Sequence, residues 1–165
     1  MKTHGIADLK DALSYQVNQL YIAEKQLKKE LTDCIGKVAS KEMKAELTKY
    51  TSLAEDKVLK LERVFNYLME EPSANSNKVI DKMVDETHQL ISRALSDNIR
   101  EVVIIACLRS IIHYKIARYQ IASTFALELE MEVVADLIDE IVDWEKQAEL
   151  RLESMSVGHL NVKEK

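Results

Sequence analysis

The sequence predicts an all-α protein built from four long helices, and three observations carry that prediction. Glycine occurs three times and proline once in 165 residues, and aromatic residues make up 5% of the chain. That is poor material for the turns and strands of a β fold. Apolar residues recur at alternating spacings of four and three, the seam of a packed bundle helix. The sole proline lies in the clearest loop signal, Glu70 to Asn77.

The first helix is expected over 6–37, with Leu13, Val17, Leu20, Glu24, Leu27, Leu31, Cys34 and Val38 on its seam. Gly36 weakens the helix there, and Ser40 is placed to cap the next one. The second helix is expected over 40–69, with Leu47, Thr51, Ala54, Val58, Leu61, Phe65 and Leu68 facing inward. A shorter helix over 78–95 follows the loop, with Val79, Met83, Leu90 and Ile91 as its apolar face. Ser96-Asp97-Asn98 supplies an N-cap for the last helical region, which lacks glycine and proline until Gly158. Its seam runs in phase through Leu127, Met131, Val134, Ile138, Ile141, Glu145, Ala148 and Leu152, so one continuous coiled-coil helix is an alternative. Val102 to Leu108 is apolar on every side, however, and that turn needs several neighbours. A hairpin broken near Glu130 supplies them and gives helices over 98–129 and 131–156, although no residue marks the break. Two hairpins joined by a long connection with its own short helix define the ferritin-like variant of the four-helix bundle, here expected as a single domain over 1–165.

Composition narrows the function classes. Charged residues of both signs make up 31% of the chain and sum to −5, which suits a solvated surface and offers no basic footprint for nucleic acid. The N-terminus leads into an amphipathic pattern without an apolar signal segment, and no apolar run reaches the roughly 18 residues of a membrane span. Cys34 and Cys107 are too few for a disulfide framework and are expected to fill core space in a reducing cytoplasm. No serine or cysteine stands in triad spacing, and no glycine-rich phosphate loop occurs.

Two seam positions carry a charge where an apolar residue is expected. Glu24 is flanked by Leu20 and Leu27, and Glu145 by Ile141 and Ala148. An ionised carboxylate in a dry seam costs on the order of several kcal/mol unless it is paired or bound to a metal. Counting rise along the helices puts Glu24 and Glu55 at similar distances from the first turn, and His113 and Glu145 at similar distances from the turn near Glu130. A ferritin-like crossover sets those turns at opposite ends, so all four residues are expected at mid-height. Carboxylates and imidazole there match the ligand chemistry of a di-iron or di-manganese site. The alternatives are structural: a seam glutamate reaches water or pairs with lysine, and His113 is a hydrogen-bonded core histidine. Tyr114, Tyr119 and Trp144 read as packing residues with a polar tip.

The residues Leu20-Tyr21-Ile22-Ala23-Glu24-Lys25-Gln26-Leu27 resemble the LYxAEKQL stretch of the YciE/YciF proteins, a bacterial ferritin-like family. His113-Tyr114-Lys115-Ile116-Ala117-Arg118-Tyr119 resembles the family's EHYEIAxY stretch, and Glu145-Lys146 falls at its acidic EEEK-like run. Order and spacing agree over 6–156. The resemblance implies a ferritin-like bundle, a homodimer and an association with bacterial stress responses. It also favours the break near Glu130, where relatives commonly have glycine.

The departures bear on the metal. The family's Glu-x-x-His on helix two is matched to Glu55-Asp56-Lys57-Val58, which puts Val58 at the histidine position. The two glutamates of EHYE fall on Ile112 and Lys115, and Glu145 is followed three residues later by Ala148. Glu24, Glu55, His113 and Glu145 remain as candidate metal ligands, with Glu149, one turn after Glu145, as a fifth. Three functions stay open. The first is a non-catalytic dimeric protein whose di-metal site is incomplete; the second holds one weakly bound iron, manganese or zinc ion; the third is a helical interaction scaffold. The missing ligands favour the first over the second, and nothing separates the third from the first. Ile104, Ile105, Ile111, Ile112 and Ile121 add to the dimer expectation, because one bundle helix buries only one broad face. Without metal, the carboxylates repel, so at least one is expected to take up a proton or pair with a lysine such as Lys115 or Lys57. On this view Glu24→Leu is tolerated or stabilising.

Overall fold

The computed structural model describes residues 5–161; residues 1–4 and 162–165, which the single-domain expectation includes, lie outside the described residues. Five helices follow one another: α1 (Leu9–Ile35), α2 (Lys41–Leu68), α3 (Lys78–Arg93), α4 (Asp97–Glu128) and α5 (Glu132–Asn161). The first starts three residues later than the seam suggests because Asp8 caps it, its carboxylate accepting from Asp11 N–H at 2.8 Å. Ser40 caps α2 and Ser96 caps α4, each accepting at 3.2 Å from the N–H three residues on.

The helices α1 and α2 form one hairpin and α4 and α5 the other; α1 also packs on α4, and α2 on α5. Between the hairpins, the crossover is tied down onto α1. Asn18 Oδ1 accepts from Ser73 N–H at 2.7 Å and Ala74 N–H at 3.2 Å. Asn77 donates to Gln19 O at 3.1 Å while its own oxygen caps α3. The α3 helix then lies against α4 and α1, and brings the chain back to the α1–α2 turn. There Glu101, at the start of α4, accepts from Ala39 N–H at 2.9 Å and Ser40 N–H at 2.7 Å. The two hairpin turns therefore stand at opposite ends of a ferritin-like bundle.

The break between the last two helices is a backbone motif without glycine. Glu130 adopts φ 57°, and the N–H groups of Glu130 and Met131 return to Leu127 O at 3.0 Å and Ala126 O at 2.8 Å. This is the paired reverse hydrogen bonding of a Schellman cap. Met69, φ 55°, closes α2 in the same way through Asn66 O and Phe65 O.

Packing changes three parts of the sequence reading: on α3 Ile80 is buried in place of Val79, which is exposed; at the end of α4 Leu127 is exposed; and the inward register of α2 shifts. On α2 the inward positions are Leu47, Tyr50, Ala54, Lys57, Leu61 and Phe65, so Tyr50 and Lys57 are buried where the apolar pattern favours Thr51 and Val58. Ile104, Ile105, Ile111 and Ile112 are all buried within the chain's own core, on a helix enclosed by α1, α3 and α5. Of the five isoleucines behind the dimer expectation, only Ile121 is exposed, at 38%. Among the described residues, no helix is long and apolar enough to cross a membrane.

Candidate functional site

Each of the four bundle helices sends one charged side chain to the centre: Glu24 from α1, Lys57 from α2, Lys115 from α4 and Glu145 from α5. None is more than 1% exposed. The ammonium of Lys115 is the hub, 2.8 Å from Glu24 Oε1, 2.9 Å from Glu145 Oε1 and 2.9 Å from Tyr50 Oη. Its three N–H donors thus meet three oxygens. Lys57 forms a second ion pair with Glu145 Oε1 and lies 4.1 Å from the centre of the Tyr50 ring, within cation–π range. Two phenols complete the shell. Tyr50 donates to Glu145 Oε2 at 2.8 Å, and Tyr119 donates to Glu24 Oε1 at 2.7 Å.

The electrostatics follow from these contacts. Burial alone would raise the Glu145 pKa, but Lys115 and Lys57 outweigh it and hold the carboxyl at about 2. Burial likewise opposes the charge on Lys115, yet Glu145 and Glu24 together push its pKa above the ordinary lysine value. Lys57 goes the other way: burial lowers its pKa, because it has one close carboxylate and is repelled by Lys115. Burial next to Glu145 and Glu24 raises both phenols well above 10, so Tyr50 and Tyr119 are neutral donors. Two carboxylates and two ammonium groups make the centre neutral.

Of the five candidate ligands, Glu24 and Glu145 meet at this centre. Glu55 does not. Its side chain is 61% exposed and pairs with Lys28, because the inward positions of α2 fall one residue earlier, at Ala54 and Lys57. His113 also stands outside, 63% exposed on α4, since the adjoining inward positions are Ile112 and Lys115. It lies 3.0 Å from Glu149, whose Oε1 also accepts from Arg109 at 2.6 and 2.8 Å, so Glu149 belongs to a peripheral ion-pair group. The lysine pairing expected of clustered carboxylates is present, and both named lysines take part. Tyr50 and the polar role of Tyr119 are the additions. Tyr50 was accessible from its spacing, three residues after Leu47 and four before Ala54.

The fit to a dinuclear metal centre is poor. A charged ammonium has no lone pair to offer and repels a divalent cation. Among the described residues, no group of three or more His, Cys, Asp or Glu side chains is arranged to hold a metal ion.

The family model described as a domain of unknown function, DUF892, matches residues 8–163. The chain belongs to this family. Its relatives include Protein YciF of Escherichia coli (strain K12), 22% identical over 159 residues with 94% of each chain covered. The family is thus the YciE/YciF family that the sequence motifs resemble. The crystal structure of the E. coli stress protein YciF matches with a TM-score of 0.91 at 19% identity, covering 95% of this chain and 99% of that one. YcfI from Rhodopseudomonas palustris, for which a structural role has been put forward, matches with a TM-score of 0.88 at 24% identity. That match covers 93% of this chain and 98% of YcfI. At these identities the two structures speak for the DUF892 fold and not for its chemistry.

Proposed function

We propose that this DUF892 chain is a non-catalytic, stress-associated structural protein of the cytoplasm. It acts as a single-domain homodimer, and a salt-bridged quartet holds its core together in place of a working di-metal site. The observation that carries the proposal is the position of Lys57 and Lys115, whose ammonium groups pair with Glu24 and Glu145, the two carboxylates at the bundle centre among the described residues. Neutral, ion-paired and closed to water, such a centre has no vacant coordination position and no exposed acid or base. The stress association rests on the likeness to a protein described as the E. coli stress protein; the homodimer rests on the resemblance to the YciE/YciF proteins.

Elemental analysis of protein purified without added metal, followed by iron(II) titration monitored by absorbance, tests the proposal. The expected result is no stoichiometric metal and no iron-dependent absorbance. Uptake of two irons per chain with rapid oxidation would overturn it. Light scattering at micromolar concentration tests the dimer separately, against a monomer mass of 18.9 kDa.

A further inference from the structure

Six inward positions at mid-bundle have a regular arrangement: one each on α1 and α4, at Glu24 and Lys115, and pairs three residues apart on α2 and α5. These pairs are Ala54 with Lys57 and Glu145 with Ala148, and none of the six residues is more than 1% exposed. In di-metal carboxylate bundles, two helices each give one glutamate and the other two each give a Glu-x-x-His pair. The spacing is the same here, helix by helix. Two of the six side chains are still the glutamates of that pattern, two are alanines and two are lysines.

The charge balance is also the same. Four carboxylates around two divalent ions sum to zero, and two carboxylates with two ammonium groups sum to zero as well. Neutralising any one of the four charged residues alone would leave an uncompensated buried charge, which is strongly destabilising. We infer that Lys57 and Lys115 are built-in replacements for two divalent cations, and that the helix frame around them is still that of a dinuclear centre: a latent metal site closed by its own chain. This rests on the proposed function above, since it takes the wild-type centre to be free of metal. Tyr50 and Tyr119 suit either state, because a phenol that donates to an ammonium-paired carboxylate can donate equally to a metal-bound one.

The test is restoration. The variant Ala54→Glu/Lys57→His/Lys115→Glu/Ala148→His is refolded with cobalt(II) chloride and, after desalting, assayed for metal content and for the visible absorption of protein-bound cobalt. Two ions per chain are expected, with none in the wild type treated alike. Four clustered carboxylates can prevent folding before metal arrives, so Lys57→His/Lys115→Gln is measured alongside, with helicity checked by circular dichroism. It removes both positive charges and leaves an imidazole with Glu24 and Glu145. One cobalt per chain is expected, bound at least 100-fold more tightly than by the wild type. A helical double variant that binds no cobalt overturns the inference, as does a folded fourfold variant with fewer than two ions. Two ions in the wild type would instead strike at the proposed function.

Discussion

At the scale of single residues, Glu145 is the most consequential side chain of the centre, because both lysines and Tyr50 depend on it. Glu145→Gln leaves two buried ammonium groups facing the single carboxylate of Glu24, and it should cost about 3–5 kcal/mol, the usual penalty for breaking a buried pair. Urea denaturation would read this as a lowered midpoint at unchanged slope. The same reasoning reverses the expectation for Glu24→Leu. From sequence, Glu24 is a poorly compensated charge; in the structure it receives both Lys115 and Tyr119, so its removal destabilises. A pH dependence follows as well. The folded chain holds the Glu145 carboxyl at about 2, whereas an unfolded glutamate titrates near ~4.3. The unfolded state therefore takes up this proton first. The stabilisation is complete above about pH 4.5 and drains away as the pH falls toward 2. Acid unfolding followed by circular dichroism should show this slope in the wild type and a reduced one in Glu145→Gln.

At the scale of elements, the two Schellman caps carry left-handed residues without glycine. A side chain at positive φ costs about 1 kcal/mol or somewhat more, and glycine avoids that cost. Glu130→Gly should therefore raise stability by about 1 kcal/mol, seen as a higher Tm in calorimetry with the helix break unmoved. Met69→Gly should act in the same direction, since the Met69 side chain is 85% exposed and little packing is lost. The crossover is the opposite case, an element held by a few specific bonds. Asn18 is 8% exposed and binds two backbone N–H groups of the loop. Asn18→Leu should unpair those donors and cost about 1–3 kcal/mol. Hydrogen exchange should then speed up in α3 first, because α3 is attached through that loop and through side-chain pairs such as His88 with Glu30.

At the scale of the whole molecule, the quartet acts as a pin through four helices. Replacing all four charges together, as Glu24→Leu/Lys57→Met/Lys115→Met/Glu145→Leu, in a Tyr50→Phe/Tyr119→Phe background so that neither buried phenol loses its acceptor, removes both the pairing and its desolvation cost. The product should be as stable as the wild type or more so, while each single change destabilises. Thermal melts of the four single variants, the fourfold variant and the wild type would separate a pairing network from four independent contributions. A fourfold variant as unstable as the sum of the singles would show that the charges do more than balance one another.

The helices, the crossover and the two odd carboxylates in the seams are legible in the amino-acid sequence. Each is a local or periodic signal: Ser40 and Ser96 cap, Pro72 interrupts, and the four-and-three spacing repeats. The α2 register at 50 and 57 was beyond that signal. An apolar pattern prefers Thr51 to Tyr50 and Val58 to Lys57, because a lysine looks costly in a seam until its partners are known. Those partners lie on α4 and α5, 65 and 88 residues away for Tyr50–Lys115 and Lys57–Glu145 respectively. The same one-residue offset put Glu55 at the centre on paper and at the surface in the bundle, beside Lys28. Which charges are buried is settled when the helices come together, since the free energy of burying one is set by the opposite charge that another helix brings to it.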